Sequence, residues 1–309
     1  MSILGIDRVT YGVADVAACR RFFLDWGLKL VGESDAGLDF ETMNGCEVRV
    51  RHLEDAALPP AFESGPTLRE VIWGVASAAD LERVRNALGV DAKWSESEAT
   101  LRATDPNGLA IAFRVTRKRP VDVTGVPINA WGVPGRGVNR RSTVYERAEP
   151  IEVGHVVFFT DKLAEVERFY VEKLGFCVSD RYPGRAVFLR CAEEGGHHDM
   201  FLLQPPSPKR GLNHVAFTVR DIHEVFGGGM HISRCGWETE IGPGRHPISS
   251  AYFWYVKNPA GALAEYYSDE DQLDGNWEPQ DFQQSPEAFA EWAVAGGIDG
   301  KSRRARSAP

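Results

Sequence analysis

The chain has 309 residues, enough for one large or two ordinary domains. Its 43% hydrophobic and 26% charged residues are those of a globular protein, and a formal net charge of -9 offers no basic face to neutralise phosphates, so nucleic acid is not an expected partner. No stretch approaches a membrane span, "MSILGIDRVTYGV" lacks the basic and apolar regions of a signal peptide, and five scattered cysteines without a CxxC pair read as packing residues in a reducing cytoplasm.

The opening stretch, "GIDRVTYGVADVAACRRFFLDWGLKLVGES", reads as an apolar strand, a turn, an amphipathic helix, a Gly and a second strand. Asp15 stands near the helix start, where an acidic residue suits the helix dipole. A second unit begins at Arg69 with "REVIWGVASAADLERVRNAL" and closes on the strand-turn-strand "TDPNGLAIAFRV". Arg117–Pro150, rich in Pro, Gly and Arg, reads as an ordered connector.

From Ile151, "IEVGHVVFFTDKLAEVERFYVEKLGFCVSDRY" repeats the opening sentence; the helix cores "CRRFFLDWGLKLV" and "VERFYVEKLGFCV" align with a one-residue adjustment. From Leu212, "LNHVAFTVRDIHEVFGGGM" repeats the second unit and ends in "KNPAGALAEYYS". The chain is therefore an α+β protein of four βαβββ modules, paired two and two. The expected divisions are 1–116, a linker at 117–150, a second pair at 151–270, and a helix and tail at 271–309. Ser285 as N-cap and Pro286 as first helical residue predict a helix over "SPEAFAEWAV", and "GKSRRARSAP" beyond it reads as disordered. The "GGGM" run at Gly227–Met230 reads as a turn or helix terminus, since it lacks phosphate-loop spacing.

One carboxylate, Glu265, stands in the middle of an apolar strand. Burying it alone costs several kcal/mol, so it needs a cation, a hydrogen-bond network or a metal. A single His on an apolar strand, such as His155 in "VGHVVFF" or His214 in "LNHVAFTV", is by itself more often a hydrogen-bonded core residue than a ligand.

The paired modules carrying these residues resemble the vicinal oxygen chelate superfamily, and within it the type I extradiol catechol dioxygenases, over roughly residues 4–270. The resemblance implies that each pair curls into an open barrel and that only the C-terminal barrel holds a metal. It implies His155, His214 and Glu265 as the two-His, one-carboxylate ligand set of Fe(II), although Mn(II) is served by the same set, with O2 as co-substrate. The repeat supplies an internal control. Aligning the modules puts Arg8 at His155, Glu70 at His214 and Ala112 at Glu265.

The resemblance also implies an acid/base role for His198 in "HDMFL", with His197 structural or facing solvent. It matches Tyr255, ten residues before Glu265, to the family's active-site tyrosine, and His246 to its substrate-pocket histidine. Arg245 beside it either steers an anionic catecholate or faces solvent. His52, His223 and His231 match no ligand position. The implied activity is oxidative opening of a substituted catechol or trihydroxylated aromatic to a yellow 2-hydroxymuconate-semialdehyde-type product, by a cytoplasmic homo-oligomer with no membrane partner. The rival on the same scaffold is a glyoxalase-like metal-dependent lyase or isomerase. A ligand-sequestering module of the bleomycin-resistance type has no need of the triad, and an oxygenase of the hydroxyphenylpyruvate type has no need of His198, His246 and Tyr255.

Overall fold

The computed structural model describes residues 2–302 and 304–306. The first module holds β1 (Ile3–Val13), α1 (Val16–Asp25), β2 (Lys29–Ser34), β3 (Gly37–Glu41) and β4 (Glu47–His52). The second holds β5 (Thr67–Val75), α2 (Ala78–Leu88), β6 (Lys93–Ser95), β7 (Thr100–Thr104) and β8 (Ala110–Val115). They share one eight-stranded sheet, ordered β2-β3-β4-β1-β5-β8-β7-β6. The helices begin where the sequence supplies caps. Asp15 accepts from the Ala18 amide at 2.8 Å, and Ser77 from the Asp80 amide at 3.2 Å.

The connector is a small exposed hairpin, β9 (Asn129–Ala130) and β10 (Val133–Pro134). Its roots are pinned where the Val126 amide and the Tyr145 hydroxyl donate to Asp221 at 2.6 and 3.3 Å. The third module follows as β11 (Glu152–Phe159), α3 (Leu163–Arg168), β12 (Cys177–Tyr182), β13 (Ala186–Arg190), a two-residue β14 (Gly195–Gly196) and β15 (Met200–Leu203). The fourth is β16 (Gly211–Thr218), α4 (Ile222–Arg234), β17 (Thr239–Arg245), β18 (Tyr252–Lys257) and β19 (Leu263–Ser268). After them come β20 (Gln272–Leu273), β21 (Gln280–Asp281), α5 (Pro286–Phe289) and β22 (Trp292–Ala295). The second sheet runs β21-β12-β13-β15-β11-β16-β19-β18-β17-β22. Four βαβββ modules paired into two sheets are what the sequence repeats predict.

Strand registers carry the duplication to single residues. Arg8 pairs with Ile72 and Thr10 with Glu70 across β1 and β5, as His155 pairs with Ala216 and Val157 with His214 across β11 and β16. Ile72 then pairs with Ala112, as Ala216 pairs with Glu265. One apolar core runs through both halves. At the seam Trp26 stacks on Tyr266 with centroids 3.6 Å apart, and the Tyr266 hydroxyl donates to the Trp26 carbonyl at 2.6 Å.

Two expectations change. The "GGGM" run lies inside α4 rather than at its end. Glycines persist mid-helix there because a Cβ at Gly228 would press on Tyr266, and one at Gly229 would overlap the Trp254 ring. The helix expected after Ser285 is a single turn, capped by Ser285 Oγ accepting from the Ala288 amide at 3.1 Å. The chain then extends into β22, which covers the β17 edge with Ile241 opposite Ala295 and Gly244 opposite Ala293. Of the tail expected to be disordered, residues 303 and 307–309 lie outside the described residues, while Ile298 and Ala305 bridge.

Gly229→Ala weighs propensity against packing. Alanine favours the helix by about 1 kcal/mol, but a methyl driven into the Trp254 ring costs typically 1–3 kcal/mol. An overlap this deep belongs at the top of that range, so a net destabilisation of roughly 2 kcal/mol in urea unfolding is expected; an unchanged midpoint would mean that α4 shifts off the sheet without penalty.

Candidate metal centre

The site forms where β11, β16 and β19 lie side by side in the middle of the second sheet. The register brings one residue from each to the same face: His155, His214 and Glu265, all buried. The two Nε2 atoms stand 3.3 Å apart, and each is 3.1 Å from Glu265 Oε2. At bond lengths of about 2.0–2.2 Å, ligands meeting a metal at right angles lie roughly 3 Å from one another. Two imidazole nitrogens and a carboxylate oxygen also make a donor set that suits divalent first-row metals. The residues fit such an ion.

Their surroundings prepare the lone pairs. Asn213 Oδ1 accepts from His214 Nδ1 at 2.7 Å, which leaves Nε2 of His214 unprotonated and facing the other two groups. His155 Nδ1 has no hydrogen-bond partner among the described residues. Burial, outweighing the pull of Glu265, lowers the His155 pKa and favours the neutral ring. Burial alone would push the Glu265 carboxyl up, but the His155, His214 and His246 rings gathered around it hold it well below the usual carboxylate range. Gly154 has no side chain because the Tyr267 phenol occupies the place of its Cβ, and that ring packs on His155 at 4.8 Å.

The His198 ring packs tilted against His155 with centroids 4.1 Å apart, and burial next to His155 and His197 holds its pKa well below the ordinary value. His197 is fully buried rather than facing solvent. Its Nε2 lies 2.8 Å from Asp180 Oδ2 and its Nδ1 3.2 Å from His198 Nδ1, so it ties His198 to the sheet behind. Tyr255 sits directly across from Glu265 in the β18–β19 ladder. Its hydroxyl is 3.1 Å from His246 Nε2, while His246 Nδ1 donates to the Phe289 carbonyl at 2.6 Å. That bond makes Nε2 the acceptor for the Tyr255 hydroxyl. Burial raises the Tyr255 pKa well above that of a free phenol, so it remains a donor.

Arg245 does not join them. Its guanidinium pairs with Glu291 at 2.6 Å, outside the cavity, because β22 brings that carboxylate to the β17 edge. Sequence reasoning missed Asn213, Tyr267, Glu270 and Phe289. The signal for Asn213 was its place next to a strand histidine; Phe289 comes from a tail whose position no repeat fixes.

These groups line a cavity of about 390 Å³ walled by Tyr182, Phe188, Phe201, Leu203, Ile248 and Phe289. A larger cleft, about 1040 Å³, runs between Thr143–Arg147 and α4, away from the triad. Among the described residues one other cluster could be read as ligands: Asp25, His231 and Cys235 at the seam. There Asp25 already accepts from the Trp237 indole at 2.8 Å and pairs with Arg21 at 3.8 Å, and Arg147 and Arg234 press on His231, an environment poor for a cation. Among the described residues no helix is long and apolar enough to cross a membrane.

Residues 152–266 match the Glyoxalase/Bleomycin resistance protein/Dioxygenase superfamily. Metapyrocatechase 2 of Cupriavidus necator is 31% identical over 91% of this chain and 86% of its own. The Mn(II)-bound glyoxalase from Novosphingobium aromaticivorans superposes with a TM-score of 0.74 at 22% identity, covering 99% of this chain and 95% of its own. The 2,3-dioxygenase LapB from Pseudomonas sp. KL28 gives 0.71 at 20% identity, over 92% and 98%.

Glu270, beside the site, accepts from the His197 amide at 3.0 Å and the Tyr267 hydroxyl at 3.1 Å, and burial pushes its pKa up to about 8 from 4.5. With the folded value raised, the stability it contributes is complete below about pH 4.5 and is lost as pH climbs through 8. In the metal-free protein, Glu270→Gln should therefore remove part of the decline in unfolding free energy between pH 5 and 9, by roughly 1–3 kcal/mol. Parallel pH profiles for the two proteins would show that the carboxyl ionises freely.

Proposed function

Because the chain belongs to the extradiol catechol dioxygenases of the Glyoxalase/Bleomycin resistance protein/Dioxygenase superfamily, we propose that it cleaves a catechol ring with O2 at Fe(II) held by His155, His214 and Glu265. The observation that carries this reading is the convergence of three buried ligand atoms, about 3 Å apart, on the wall of an aromatic-lined cavity. Fe(II) supplies the redox chemistry that joins substrate and O2; Mn(II) is the other metal that this donor set suits.

The chain's own groups bind, orient and move protons. Asn213 fixes the tautomer of His214, so its lone pair is available without rearrangement. The Tyr255 hydroxyl faces His246 Nε2, and the pair forms a short relay that can take a proton from a catechol hydroxyl. The Phe289 carbonyl sets the direction of that relay by holding the proton of His246 on Nδ1. On the other side of His155, His198 is a neutral base whose orientation is fixed through His197 and Asp180. It can receive a proton early in the cycle and return it when the ring opens. The product is a yellow 2-hydroxymuconate-semialdehyde-type compound.

Loading the protein with Fe(II) without oxygen, then admitting O2 with a panel of catechols, tests the reading. Yellow colour from the native chain and none from Glu265→Ala, with the variant's bound iron also lost, is the expected pair of results. Iron-loaded, folded protein that produces no colour from any catechol would put the glyoxalase-like lyase in its place. His198→Phe should retain iron and catechol binding but lose about 10²–10⁴-fold in kcat, the usual worth of a positioned acid/base. A kcat within a few-fold of the native value would take His198 out of that role.

A further inference from the structure

The cavity's walls say which catechol it accepts. The acidic residues on its lining are Glu240, Glu265 and Glu270, and among the described residues no Lys or Arg reaches it. Arg245, the nearest candidate in sequence, is committed to Glu291 at the outer edge. A substrate carrying its own carboxylate would lose its hydration on entry and meet acidic groups with no guanidinium or ammonium to receive it.

Beside His198 the lining is apolar and closely packed. Phe188 and Phe201 stack with centroids 4.0 Å apart and planes 10° from parallel, and Phe188 lies 5.1 Å from the His198 ring. Tyr182, Ala186, Phe188 and Ile248 form a separate buried cluster against which Leu203 and Ala288 pack. A cavity of about 150 Å³ already takes benzene. The 390 Å³ here leaves room beyond one dihydroxylated ring for a second ring or an alkyl chain.

We infer that the substrate is a catechol bearing an uncharged, apolar aryl or alkyl substituent, which lies against Phe188, Phe201, Ile248 and Ala288, and that carboxylated catechols are excluded. This rests on the extradiol reading of the same site. The strap Ser285–Phe289 is a specificity element as well as a cap, since Ala288 closes the apolar end while the Phe289 carbonyl orients His246.

The test compares phenylcatechol and propylcatechol with catechol, dihydroxybenzoate and dihydroxyphenylacetate, in two readouts. With iron-loaded enzyme and O2, kcat/KM for the phenyl and propyl compounds should exceed that for catechol at least tenfold and that for the carboxylated pair at least a hundredfold. In calorimetric titration of the metal-free protein, phenylcatechol should bind measurably and dihydroxybenzoate should not. Ala288→Trp should cut kcat/KM for phenylcatechol at least tenfold more than for catechol. Ile248→Arg should raise the ratio of dihydroxybenzoate to phenylcatechol turnover at least tenfold, and unchanged ratios in both variants would move the substituent away from this wall. Cleavage of the carboxylated compounds as fast as the apolar ones overturns the inference while leaving the extradiol reading standing. Phenylcatechol that binds but is never opened overturns the extradiol reading and keeps the pocket's preference; no binding and no cleavage overturns both.

Discussion

A buried carboxylate in the middle of a sheet demands a positive charge, and both halves of this chain are organised around that demand. In the N-terminal half the charge is covalent. Arg8, 1% exposed, sends its guanidinium to Glu98 at 2.6 Å and to Glu70 at 3.3 Å. In the C-terminal half the strand position of Arg8 is His155 and that of Glu70 is His214, while Ala112 becomes Glu265. The substitution exchanges a fixed cation and its anion for two neutral bases and one anion. Such a set is incomplete by one cation, and the proposed metal completes it. The same scaffold position thus serves cohesion in one half and chemistry in the other.

Everything nearest the proposed ligands follows from keeping that set poised. An imidazole binds a metal through a bare nitrogen, so its proton must be held on the other one; Asn213 does this for His214. The same device recurs outward, with the Phe289 carbonyl acting on His246 and Asp180 on His197. Asn213 and Phe289 reach the cavity lining, while Asp180 stands behind it. They come from a neighbouring strand residue, from the tail and from β12, so the precision of the site depends on the whole second sheet rather than on three residues.

How much of this was legible in sequence depends on what repeats. The modules and their pairing were readable because a duplicated strand pattern carries register; the three convergent residues were named by the family resemblance, and the duplication served as the control on it. The tail has no copy elsewhere in the chain to be read against. Its N-cap was visible at Ser285, but the following residues joined a sheet edge instead of extending the helix, because an unpaired β17 offers hydrogen bonds that an exposed short helix does not. The "GGGM" run misled for a related reason: local propensity reads three glycines as a break, and only the Trp254 and Tyr266 rings from other strands explain why they sit inside a helix. His197 was hidden because adjacent histidines on a strand should face opposite ways, which allowed solvent; the pair instead lies in the bend between β14 and β15, where Asp180 of β12 covers His197.

The tail, the least legible segment, is also where the proposed selectivity and the proposed proton relay meet. Strand β22 pairs with β17 and places Glu291 beside Arg245, which holds that guanidinium outside the cavity. The preceding turn places Ala288 on the apolar wall and the Phe289 carbonyl on His246. A single short segment therefore occupies the Arg245 guanidinium outside the cavity, lengthens the cavity's apolar surface and sets a tautomer. These effects push the same way. A cavity without a guanidinium cannot anchor a substrate by a distal carboxylate, so orientation falls to the ring hydroxyls at the relay and to the substituent on the Phe188–Phe201 wall. Apolar contact is non-directional, whereas the hydrogen-bonding end is sharply directional. The tautomer of His246 thus has to be fixed by the protein, because nothing at the far end of such a substrate would fix its pose instead.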